Sequence, residues 1–186
     1  MKILYVTGNR SKYENAKKFF KPHAIEVEQV TLSLSEIQGD DSTEVALTKA
    51  QDAWKLVKQP LFINDASWFI PALKGFPGPY MKYINQWFEP IDFIHLMEGK
   101  IDRRIILKDI IVYIDENGPT IFTHEHVGIL LNKVASEEYR HPSDAVISFS
   151  QNGVSLAEEM KSKSYFIEGE DKVWNDFVRW LQKEED

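Results

Sequence analysis

The chain has 186 residues, enough for one sizeable domain, and its 43% apolar content supplies a core while its 12% aromatic content excludes a disordered chain. A net charge of −7 excludes the basic face that bulk nucleic acid or an anionic membrane requires, though a few local lysines with a divalent cation can still hold a phosphate compound. Cysteine is absent, which excludes disulfides, zinc–thiolate sites and a cysteine nucleophile.

Lys2 to Val6 reads as a short buried strand, broken by Thr7-Gly8-Asn9. A helix follows through Tyr13, Ala16, Phe19 and Phe20, stopped by Pro22. Ile25 to Val30 alternates like a half-buried strand, and 32–42 reads as loop. Ser42 or Thr43 is expected to cap a second helix carrying Val45, Ala50, Ala53 and Val57, which Pro60 ends. A strand over Leu61 to Ile63 then runs straight into Asn64-Asp65, expected just past its end. Lys74 to Tyr80, rich in Gly and Pro, is an ordered loop, and Tyr83 to Phe88 and Ile91 to Met97 are helices. Two long strands, Arg103 to Ile114 and Thr120 to Leu131, flank a turn over 115–119. Residues 132–144 read as loop, Val146 to Phe149 as a further strand, and Lys172 to Lys183 as an amphipathic helix. The order implies one mixed α/β domain over 1–186 with an antiparallel portion. No leader precedes the first strand and no apolar run approaches about 18 residues, so a cytoplasmic protein is expected.

Two segments carry chemistry. The strand-to-helix junction Thr7-Gly8-Asn9-Arg10-Ser11-Lys12 presents unpaired backbone N–H groups at a helix start, where the dipole favours an anion. Gly8 permits close approach, Thr7 and Asn9 can donate, and Lys12 adds a point charge. The same pattern also suits an ordinary turn capped by Asn9 or Ser11. The second segment is an acidic pair, Glu36 and Asp65, of which Asp65 sits where strand ends of α/β sheets face a ligand crevice. Such carboxylates can hold magnesium or take a proton from water, or can simply cap a turn and meet solvent.

Three blocks together resemble the inosine triphosphate pyrophosphatase family: Val6-Thr7-Gly8-Asn9 with Lys12 and Glu14; Leu34-Ser35-Glu36-Ile37-Gln38-Gly39 with Glu44 and Lys49-Ala50; and Asn64-Asp65-Ala66 running on to Ala72 through Lys82. The resemblance implies an elongated two-lobed α/β fold with a mixed twisted sheet and a central cleft, and a homodimer. It also implies Mg2+-dependent cleavage of a nucleoside triphosphate, such as a deaminated purine, to monophosphate and pyrophosphate. Thr7, Gly8, Asn9 and Lys12 would hold the triphosphate, Glu36 and Asp65 the metal, with Asp65 helping to activate the water that attacks the α-phosphorus. Lys49 and Lys82 would neutralise phosphate charge, and Asp144 would remain from the base-binding motif.

The match has gaps. The family carries two adjacent acids where this chain has Asn64-Asp65, and an aromatic motif where it has His141-Pro142-Ser143-Asp144-Ala145. The family's Ser-His-Arg has no counterpart, the nearest stretch being Lys161 to Tyr165. Stacking is worth about 1–3 kcal/mol per base, so base recognition is expected to be weakened or redirected. A catalytically weak or silent relative that binds nucleotide or a protein is therefore the alternative. His141 is read as a solvent-facing loop residue, His124 and His126 as the polar outer face of a hairpin rather than a metal pair, and the five tryptophans as core or interface. An esterase of the α/β-hydrolase type is excluded because Gly-x-Ser-x-Gly is missing.

Overall fold

A computed structural model of the chain describes residues 1–34, 37, 39–150, 152–162 and 171–184. In chain order these form β1 (Lys2–Val6), α1 (Arg10–Phe20), β2 (Glu26–Val30), α2 (Ser42–Val57), β3 (Leu61–Phe69), β4 (Pro77–Gly78), α3 (Met81–Trp87), α4 (Pro90–Leu96), β5 (Arg104–Asp115), β6 (Gly118–Leu130), β7 (Ile147–Ser148), α5 (Leu156–Ser162) and α6 (Asp171–Glu184). The strands share a mixed sheet in the order β2-β1-β3-β5-β6-β7, with β4 alongside β3. The expected mixed α/β class is the one that forms. The chain divides into two compact units, one of residues 1–65, 109–124 and 172–186, the other of 66–108 and 125–171. No helix among the described residues is long and apolar enough to cross a membrane.

In the first unit β1 runs parallel to both β2 and β3, with Tyr5 opposite Gln29 and Phe62. Strands buried on both faces read as continuous apolar runs, which is why Leu61-Phe62-Ile63 and Ile110 to Ile114 show little alternation. One face packs Val6, Ile63, Ile110 and Val112 against α2, whose Ala46, Ala50 and Ala53 let the helix lie close. The other face is aromatic. Tyr5 stacks on Phe62 at 4.4 Å, and Phe20 of α1 with Trp174 and Phe177 of α6 closes around them. Each fully buried ring contributes about 1.5–3 kcal/mol, so this cluster anchors α1 and α6 to the sheet. Asn9 caps α1 by accepting from the Lys12 amide. The cap of α2 is Asp41, which accepts from the Thr43 amide at 2.8 Å; Ser42, expected as a cap, is the first helical residue.

In the second unit β3 continues past the expected end. Trp68 and Phe69 pair with Gly78 and Pro77, so the supposed loop supplies an edge partner that extends the strand from Ile63 to Phe69. Asp65 therefore lies within the strand and not beyond it. Lys74 and Gly75 take positive φ values of 57° and 94° in the turn that brings this partner back. The β5–β6 turn is tighter than expected: the Asp115 side chain accepts from the Asn117 amide, closing the hairpin over Glu116 and Asn117. Along β6 the even-numbered residues face inward, and His126 is 8% exposed. His124 and His126 thus lie on the covered side of the strand, against the expectation of an outer face. Trp174 is core, but Trp87 is 71% exposed beside the Tyr83 ring. α5 forms where the sequence pattern assigns no element.

Candidate active site

The junction after β1 is built from local hydrogen bonds. The Thr7 amide donates to the Val30 carbonyl and Gln29 Nε2 donates to the Thr7 carbonyl, tying the loop to β2. The Asn9 amide donates to Thr7 Oγ1 at 3.1 Å, and the Lys12 amide to Asn9 Oδ1 at 3.2 Å. Both side-chain contacts use acceptor oxygens, so the donor groups of Thr7 and Asn9 are not consumed by them. A Cβ built on Gly8 would meet nothing within 4 Å, and its φ is not positive. The turn itself does not need glycine; the missing side chain leaves open access to the backbone at the start of α1.

Lys12, on the first turn of α1, reaches back to the sheet, where its Nζ donates to the Asn64 carbonyl at 3.1 Å. Asn64 lies two residues beyond Phe62, as Thr7 lies two beyond its partner Tyr5, so loop and strand meet at one level. The Asn64 side chain turns toward β5: Nδ2 donates to Asp109 Oδ1 and to the Ile110 carbonyl, each at 3.2 Å. Asp65, next along the strand, projects to the opposite face by strand alternation, the face that α2 covers, and it is half-buried. Lys49, on α2, is half-buried as well.

Asp109 escapes the sequence reading. It is 3% exposed within Ile-Ile-Leu-Lys-Asp-Ile-Ile-Val, and a single acid in such a run is the signal that could have found it, because a buried carboxylate is costly without a partner. Burial pushes its carboxyl up to about 6, against the Asn64 hydrogen bond and the Lys12 charge, which favour the ionised form; the Asp65 carboxylate pushes it further up. Burial likewise raises the Tyr5 phenol. The Tyr5 hydroxyl is near Thr7 but makes no hydrogen bond of good geometry among the described residues.

The remaining expected site residues are distributed differently. Lys82 and Asp144 belong to the second unit. Lys82 is exposed at the start of α3, with Nζ 6.0 Å from the Tyr83 ring. Asp144 is 5% exposed and its Oδ2 accepts from the His141 amide at 3.0 Å, so one carboxylate oxygen is committed to its own turn. Burial raises its carboxyl, opposed by that hydrogen bond and by the charges of His141 and Arg140. His141 is exposed, as expected. Lys161 pairs with Glu138 at 2.8 Å. Glu36 and Tyr165 lie outside the described residues. Among the described residues no three His, Asp or Glu side chains cluster as a metal site.

A model of the Ham1 family matches residues 3–164. The dITP/XTP pyrophosphatase of Methanopyrus kandleri is 35% identical over 139 residues, covering 74% of each chain, and that of Thermococcus kodakarensis is 30% identical over 98% of each. The solved HAM1 protein of Coxiella burnetii superimposes with a TM-score of 0.79 over 98% of this chain and 99% of its own, at 16% identity, a likeness of fold. Matched by the family model over most of its length, and by relatives along nearly all of it, this chain belongs to the Ham1 family.

Proposed function

We propose that the chain is a nucleoside triphosphate pyrophosphatase that releases pyrophosphate from deaminated purine nucleotides such as dITP and XTP, the substrates that name its relatives. The observation that carries this reading is the Thr7–Lys12 junction, an open helix start with Lys12 anchored against β3 one residue before Asp65. Backbone N–H groups and Lys12 bind the triphosphate, and Asp65 takes the proton from a water whose oxygen bonds to the α-phosphorus. The bond from the α-phosphorus to the bridging oxygen breaks, and pyrophosphate leaves with that electron pair.

Magnesium suits the donor chemistry: the half-buried Asp65 would be an oxygen ligand, Glu36 would add a second carboxylate from the sequence, and no thiol competes. When bound, it would neutralise phosphate charge and make water a better nucleophile. Lys49 and Lys82 add positive charge for the phosphates. With Asp144 partly committed to its own turn, base discrimination is shallow, within about tenfold, or 1.4 kcal/mol. A cytoplasmic homodimer completes the reading, and size-exclusion chromatography tests the dimer.

Asn64, which brings no charge, favours the rival reading of a protein that binds nucleotide without turnover. Pyrophosphate release from dITP, XTP, GTP and ATP, with and without magnesium, separates the two. Magnesium-dependent release from dITP and XTP is expected. Binding without release on any triphosphate would overturn the enzymatic reading.

A further inference from the structure

A single residue links the buried carboxylate of Asp109 to the lysine of the Thr7–Lys12 junction. Asn64 Nδ2 donates to Asp109 Oδ1 at 3.2 Å, and the Asn64 main-chain carbonyl accepts from Lys12 Nζ at 3.1 Å. Asp109 is 3% exposed, and its neighbours on the same face of β5, Leu107 and Ile111, are buried and apolar. An apolar residue would fill this place without the cost of burying a carboxylate. What Asp109 adds is a proton-binding group close behind Lys12.

The elements around Asp109 bring few other charges. From α1, the Lys12 ammonium favours the ionised carboxylate. From β3, Asp65 projects to the opposite face and acts through space, raising the carboxyl. Tyr5 of β1 has a phenol that burial keeps protonated. On β6, the Leu130 amide donates to the Arg103 carbonyl at one end of the hairpin, and Glu116-Asn117 form its two-residue turn at the other. That register sets His124 opposite Asp109 on the same face. On β5 itself, Lys108 alternates to the other face. α6 meets this face of the sheet through Trp174 and Phe177, which carry no charge.

We propose that a phosphate anion held by Lys12 drives a proton onto Asp109, so that phosphate binding at the start of α1 is coupled to proton uptake. The inference deepens the pyrophosphatase reading and rests on its assignment of Lys12 to the triphosphate. An anion at the Lys12 ammonium offsets the charge that keeps Asp109 ionised and adds negative charge of its own, and away from bulk water such effects are poorly screened. Ionised Asp109 then opposes the anion, and protonated Asp109 does not. By reciprocity, the protein holds phosphate more tightly as pH falls through the range in which Asp109 titrates. No bond is made or broken beyond the transfer of one proton from solvent to the carboxylate.

Isothermal titration calorimetry with pyrophosphate, without magnesium and in two buffers of different ionisation enthalpy, counts the protons taken up. The full-length wild type is compared with Asp109→Asn and His124→Gln. The titration of pyrophosphate itself is common to all three, so the differences belong to the protein. If the anion raises the proton affinity of Asp109 about tenfold, the low end for a neighbouring charge, wild type takes up about half a proton more than Asp109→Asn at pH 6.5 and no more at pH 8.5. Asp109→Asn should bind pyrophosphate about tenfold more tightly than wild type at pH 8.5 and nearly equally at pH 5. His124→Gln should behave as wild type. Equal proton uptake in wild type and Asp109→Asn, or its loss in His124→Gln instead, would overturn the proposal, as would a wild type that does not bind pyrophosphate. Carbon NMR of the Asp109 carboxyl reads the Lys12 contact without any ligand. In Lys12→Met that carboxyl is expected to titrate at higher pH than in wild type, and an unchanged titration would also overturn the coupling. Release of pyrophosphate from dITP, assayed separately with magnesium, keeps the two readings apart. Binding with proton uptake but no release sinks the enzymatic reading and leaves the coupling standing, whereas release with no difference in uptake sinks the coupling alone.

Discussion

Lys12 Nζ donates to the main-chain carbonyl of Asn64 at 3.1 Å, joining the first turn of α1 to the middle of β3 across 52 positions of sequence. Lys12 is half-buried, and this bond holds its side chain in place before any ligand arrives. Replacing Lys12 by Met keeps the apolar stem and removes the charge. The expected result is a KM for dITP at least tenfold higher and a stability loss of about 1.5–3 kcal/mol, the usual worth of a hydrogen bond to a charged group. Steady-state kinetics and urea unfolding check both, and an unchanged KM would remove Lys12 from the phosphate site.

Asp65 is the half-buried acid next to this anchor. Asp65→Asn preserves shape and removes the base. Pyrophosphate release should fall by at least a hundredfold, consistent with the roughly 10²–10⁴-fold contribution of a positioned acid or base. Folding, followed by circular dichroism, should be unchanged. Activity within tenfold of wild type would assign the proton to another group.

The buried Asp109 makes stability depend on pH. Its carboxyl titrates at about 6 in the fold, above the ordinary value of 3.8, chiefly because burial penalises the charged form. The native state therefore holds the proton more tightly than the unfolded chain does. Stability from this group is complete below about pH 4 and is lost as pH rises to about 6. The total is on the order of 3 kcal/mol, since each unit of difference is worth about 1.4 kcal/mol. Lys12, Asp65 and Tyr5 are the ionisable groups that act on it. Asp109→Asn should match wild type near pH 4 and exceed it above pH 6. Equilibrium unfolding at several pH values measures the gap, and a gap that does not widen with pH would place the charge cost elsewhere.

Tyr5 is fully buried against Phe62, with a hydroxyl that lacks a well-formed hydrogen bond among the described residues. Leaving such a group unmade costs about 1–3 kcal/mol. Tyr5→Phe keeps the stacked ring and removes the cost. The melting temperature should hold or rise by a few degrees, at roughly 2–4 °C per kcal/mol for a chain of this size. A fall would mean that the hydroxyl has a partner of real energetic weight.

Gly128 on β6 lies hard against the next strand. A Cβ there would sit 2.7 Å from the Ser148 carbonyl oxygen and 3.0 Å from the Phe149 ring, and the backbone oxygen belongs to a paired strand that cannot easily yield. Gly128→Ala should cost about 2–3 kcal/mol through overpacking. Thermal unfolding should drop by roughly 5 °C or more. A neutral result would mean that β7 shifts freely.

Much of this protein was legible before folding. The buried runs of β1 and β5, the helical periodicity of α1, α2 and α6, and the turn at Thr7-Gly8-Asn9 are set by neighbours a few residues apart, and short-range sterics and solvation act at that distance. The same local chemistry marked Lys12 and Asp65. Tertiary structure decided what depends on which strands become neighbours. β3 runs on to Phe69 only because Pro77 and Gly78 return to pair with it. Asp144 spends an oxygen on its own turn only once that turn is closed and buried. Asn64 meets Asp109 because β5, 45 positions later, lies beside β3 across two intervening helices and a strand. A hydrogen bond between distant strands leaves no periodic trace in sequence. Its one visible sign is a polar residue where burial should exclude it, and the fold supplies the partner that makes the burial tolerable.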